Sequence, residues 1–128
     1  MSANPHRAEV TVTLGDHGDY LLRPTFQALA QIEADLKEPI IPIAQRVAAF
    51  QVGVRDAAVI VHYAGRAAGG KLTLAQVGEA VLAAGLVNVA LKCHEMLQLA
   101  LTADDPNSEA ATAAAANPET GASPGAAS

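Results

Sequence analysis

The chain has 128 residues, a mass of 13.0 kDa, 51% apolar residues and a formal charge of −5. That length suggests one domain. Alanine supplies 29 of the 65 apolar residues, and the other 36 all precede Pro106, so residues 1–105 hold the material for a single compact core. The three segments expected are a flexible N-terminus at 1–7, one domain at 8–105, and a disordered Ala/Pro/Gly/Ser-rich tail at 106–128. The last has no large apolar side chain to offset the entropy of ordering it.

Several classes of protein are excluded or disfavoured. No apolar run approaches the roughly 18 residues of a membrane span. The start, Met1 to Arg7, lacks the apolar stretch of a signal peptide. Cys93 is the one cysteine, so no internal disulfide forms, as suits a reducing compartment. Eight basic residues are scattered at a pI of 5.2, which argues against nucleic acid as a partner.

Residues 8–22 predict a β-hairpin. Val10, Val12 and Leu14 alternate with Glu9, Thr11 and Thr13, a Gly- and Asp-rich connection spans 15–19, and Tyr20-Leu-Leu-Arg23 returns. From Pro24 or Thr25 the period becomes helical, with Phe26, Leu29, Ile32 and Leu36 on one inward face and a stop at Pro39. A short second helix is expected from about Pro42, burying Ile43, Val47 and Phe50.

A third helix is expected from Val54 to Ala68, ended by Gly69-Gly70. Its apolar residues extend beyond one stripe to Val59, Ile60 and Tyr63, which favours a central buried helix over a partner contact. Thr73 and Gln76 form the pattern of a capping box, with Leu72 and Val77 as a hydrophobic staple, opening a helix that ends at Gly85. A last helix, 86–102, turns Leu86, Val89, Ala90, Cys93, Leu97 and Leu101 inward and Asn88, Lys92 and Glu95 outward. The fold class expected is α+β, mostly α: an N-terminal β-hairpin followed by four to five short helices.

Candidate chemistry is thin. Gly65 to Lys71 has the spacing of a phosphate loop but continues with Leu72, where the hydroxyl that binds Mg²⁺ is required, and it ends a helix instead of following a strand. His6, His17, His62 and His94 show no metal-ligand spacing. A pairing of Cys93 with His62 as nucleophile and base is open, although a buried cysteine is usually a small hydrophobe. Glu33 and Glu38 flank the end of the first helix and Asp104-Asp105 border the tail; Glu33 is expected to pair with Arg23 or Arg46. No catalytic, cofactor-binding or metal-binding residue is assigned, no cofactor is expected, and the chain reads as a non-enzyme.

The order of these features resembles the small tail proteins of the gene transfer agent family, found in tailed phages and gene transfer agents of α-proteobacteria. The residues carrying the resemblance are Ala8 to Leu14, Tyr20 to Arg23 and above all Thr25-Phe-Gln-Ala-Leu-Ala-Gln-Ile-Glu33. Val54 to His62 with its Gly-Gly exit, Leu72 to Gly78 and Ala84-Gly85-Leu86 continue it, so it spans about residues 7–102. Lys37-Glu38-Pro39-Ile40 departs from it, standing where a Gly-ended helix is more usual.

The resemblance implies a tail assembly chaperone that binds the tape measure protein during tail morphogenesis. The alternative is a structural, tail tube-associated component. It further implies the tape measure protein as partner and the tail tube protein as a second candidate, with multiple copies or a homo-oligomer and neither nucleic acid nor membrane. The expected place is the cytoplasm of the bacterial host, with the chain absent from the mature particle.

Overall fold

A computed structural model describes residues 8–102. The segments expected to be flexible or disordered, 1–7 and 106–128, lie outside the described residues. Strands β1 (Val10–Thr13) and β2 (Asp19–Leu22) pair antiparallel, joined by a 3₁₀ turn at Gly15–His17. Five helices follow: α1 (Phe26–Leu36), α2 (Ile40–Ala48), α3 (Val54–Ala67), α4 (Leu74–Ala84) and α5 (Leu86–Thr102). The architecture is therefore the hairpin-plus-helices arrangement expected from the alternation and periodicity of the chain.

The register places Val10 opposite Leu22 and Val12 opposite Tyr20. All four side chains are buried, so one face of the hairpin lies on the helices while Thr13 and Asp19 pair on the other, Thr13 Oγ1 donating to Asp19 at 3.1 Å. An isolated two-stranded ribbon is marginal in water. Here β1 packs against α5 and β2 against α3.

Helix α3 is the axis of the domain. It packs against α1, α4, α5 and β2, and every residue from Ala57 to His62 is buried. This explains its apolar excess beyond one stripe: neighbours cover it on several sides. Small side chains at Ala57, Ala58 and Ala64 allow the close approach, and the larger Val59, Ile60 and Val61 fill the space between.

The helix boundaries follow local chemistry. Thr25 Oγ1 caps α1 by accepting from Ala28 N–H at 3.1 Å. Thr73 and Gln76 form both halves of a capping box at α4, at 3.1 and 2.9 Å. Gly85, at φ 99°, turns the chain between α4 and α5, a conformation L side chains rarely adopt. At α1 the expected glycine is replaced by Lys37, held left-handed at φ 56°, so the departure in sequence changes the residue but not the cap.

Two inward assignments are corrected. Phe26 is 87% exposed, because as the first residue of α1 it projects beyond the neighbouring elements; Ala28 and Ile32 carry the buried face. Phe50 is 52% exposed, because α2 starts at Ile40, ends at Ala48 and leaves Phe50 in a left-handed turn at φ 56°.

Candidate functional site

The carboxylates and bases settle into structural roles. Glu9, expected on the polar face of β1, is only 4% exposed and pairs with Arg23 Nε. Arg23 also donates to Ala67 O at 3.3 Å, and its backbone N–H to Ala64 O at 2.9 Å. One arginine thus ties the hairpin to the carbonyl-rich C-terminal end of α3, where a cation is favoured. Arg46 bridges Glu38 at 2.6 Å and Asp56 at 3.1 Å, and these partners hold its pKa above the ordinary value.

Glu33 pairs with neither Arg23 nor Arg46. It accepts from Ile40 N–H at 2.8 Å, tying the end of α1 to the first turn of α2, because both arginines are already engaged elsewhere. Asp35 accepts from Arg55 at 3.0 Å and from Tyr63 Oη at 3.2 Å. The Arg55 hydrogen bond, with that of Tyr63, lowers its pKa.

Cys93 is enclosed in the core, and burial pushes its thiol up to about 12. That burial keeps the thiol protonated at pH 7, so Cys93 presents no thiolate nucleophile. Gly65 and Gly70 do not cradle phosphate; they flatten the end of α3 against the Tyr20 ring, and a Cβ at Gly70 would lie 2.5 Å from Tyr20 Cζ. Tyr20 Oη is buried there without a hydrogen-bond partner among the described residues. His17 lies in the hairpin turn and His94 on α5, while His6 and Asp104-Asp105 fall outside the described residues. No group of His, Cys, Asp and Glu among the described residues could hold a metal.

A groove of about 840 Å³ lies between the first turns of α1 and the last turns of α3. Thr25, Phe26, Gln27, His62, Tyr63 and Arg66 line it. His62 is 8% exposed, and its Nδ1 is buried without a partner among the described residues. Burial first, and then the nearby Arg66 charge, lower its pKa, which keeps the ring neutral at pH 7. The ring meets Tyr63 edge-on at a centroid distance of 4.9 Å. Sequence reasoning considered His62 only as a partner for Cys93 and missed the groove; the available signals were Arg66, one turn beyond His62 on α3, and an aromatic directly after the Thr25 cap.

No single described helix is long and apolar enough to cross a membrane; α4 and α5 are so only together, and the chain bends by 112° between them. The described residues thus form a small helical domain with a polar-and-aromatic surface groove between α1 and α3. Residues 7–103 match the model of the family described as "Phage tail tube protein, GTA-gp10". The chain belongs to that family, which places it among the proteins of phage and gene transfer agent tails, a structural class and not an enzyme class. No curated protein and no solved structure matches the chain.

Proposed function

We propose that the chain serves in the tail of a phage or gene transfer agent as a structural component associated with the tail tube. The observation carrying this reading is the family match, which names the tail tube and runs through the whole described domain. It favours the structural alternative over the chaperone that the resemblance implied. In this reading the chain acts in multiple copies, with the tail tube protein as a neighbour, and without nucleic acid, membrane or cofactor.

One observation favours a second reading, the tail assembly chaperone. Two four-residue strands are the whole sheet among the described residues, and ring-forming tube subunits need a larger one. A small helical domain could instead coat the tape measure protein by helix-in-groove contacts, each weak and many together strong, in the cytoplasm of the bacterial host. Quantifying the chain in purified particles separates the two. Many copies per particle support the tube-associated role. Absence from particles, with co-purification of the tape measure protein on co-expression, reverses the assignment.

A further inference from the structure

The hairpin has two outer edges, and they differ. Leu14 N–H donates to Gly18 O at 2.8 Å, which sets the parity of the ladder. Val10 and Val12 therefore turn their main-chain groups toward β2, and Thr11 and Thr13 turn theirs away. The outward N–H and C=O groups of Thr11 and Thr13 have no partner among the described residues. The other edge is obstructed. Arg23 N–H, just beyond β2, is taken by Ala64 O at 2.9 Å, and Ala68, Gly69 and Gly70 share a cleft of about 210 Å³ with Asp19 and Leu21.

An open edge is normally blunted by lysine, proline, a bulge or an inward-pointing charge. Strand β1 has none of these. Its register runs unbroken from Val10 to Thr13, and its two outward residues are threonines, uncharged and β-branched. Such an edge accepts another extended strand, and its symmetry selects which one. Thr11 and Thr13 lie either side of Val12. A second β1, antiparallel and related by a two-fold axis at Val12, puts Thr11 of each copy opposite Thr13 of the other. All four outward N–H groups then meet an outward C=O, and the threonine side chains pair across the seam. A two-fold axis at Thr11 or Thr13 matches only one of these residues to a residue inside the strand.

We propose that β1 is the seam of a two-fold dimer, in which a second copy of this chain adds its own β1 to make a continuous four-stranded sheet. The strand order is β2-β1-β1-β2. The obstructed β2 edge closes the assembly at two copies instead of letting it run on. The pairing follows from the hairpin alone and does not rest on the tail-tube reading.

The test follows the full-length chain at rising concentration by light scattering and amide exchange. A dimer is expected, with the Thr11 and Thr13 N–H groups protected as it forms while that of Leu21 stays open. Thr13→Pro removes an outward donor and leaves the β1–β2 ladder its bonds. It should weaken the dimer about thirtyfold, two hydrogen bonds being lost. Cross-linking tests the register without proline. A mixture of Thr11→Cys and Thr13→Cys chains should form a disulfide between unlike copies, because a hydrogen-bonded pair holds its Cα atoms about 5.5 Å apart; neither chain alone should do so. Cys93, sealed in the core, does not compete. A monomer at millimolar concentration, a dimer whose Thr11 and Thr13 amides still exchange freely, or equal cross-linking in single and mixed samples would each overturn the proposal. So would protection that appears only when another protein's strand is added.

Discussion

The two ends of α3 are built on opposite principles. At its N-terminal end, Asp56 accepts from Gly53 N–H and from Arg46, and Arg55 reaches Asp35 on α1, so charge meets charge. At its C-terminal end, Arg23 and the Tyr20 ring hold the backbone, whereas Arg66 and the Nδ1 of His62 are left without partners among the described residues. One end spends its polar groups on holding the fold. The other leaves these two groups outside the polar network of the described residues.

That contrast can be broken by mutation. Arg23→Met should have the largest effect, because it removes both the charged bond to the buried Glu9 carboxylate and the tie to Ala67 O; a loss of about 3 kcal/mol is expected in denaturant unfolding. Gly65→Ala follows, since its Cβ would intrude on Tyr20, which α3 pins in place. Overpacking of this kind costs about 2 kcal/mol, and Gly65→Ala combined with Tyr20→Leu should recover part of it. If Arg66→Gln proves as costly as Arg23→Met, the contrast between engaged and unengaged arginines fails.

Smaller effects sharpen the same comparison. Thr73→Ala, remote from both ends, should cost about 1 kcal/mol through the lost cap. Lys37→Gly should instead stabilise by up to about 1 kcal/mol, because glycine adopts the left-handed cap without strain. Burial of His62 sets the sign of the pH dependence expected from it. Its folded pKa lies below the ordinary 6.5, so the unfolded chain takes up the proton first as pH falls. Stability should therefore decline below about pH 6.5 until the folded ring also titrates. His62→Gln should flatten that slope, and a slope of opposite sign would show the ring to be charged in the fold.

Much of this architecture was legible because it is written locally. Alternation at Val10, Val12 and Leu14 specified the buried face of the hairpin, and Thr73 with Gln76 marked the start of α4 to the residue. The excess of apolar side chains on α3 identified the central helix. The errors came where periodicity meets an element's end. Phe26 has the right phase for the core but sits where no neighbour reaches it, and Phe50 lies past the point at which α2 stops. Charge pairing was harder still: the Glu9–Arg23 bridge crosses a hairpin, and Glu33 took a backbone N–H over either arginine.

By itself, the sequence determined the type and order of the elements, the capping box of α4, the exclusion of a phosphate loop and, through ordered motifs, the family. Each depends on residues a few positions apart. Only the tertiary structure decided which arginines are engaged, that Cys93 is sealed in the core, and that Phe26, His62 and Arg66 share one groove. Those facts depend on how separate elements pack; α1 against α3 alone brings together residues some forty positions apart. No local pattern encodes such a distance.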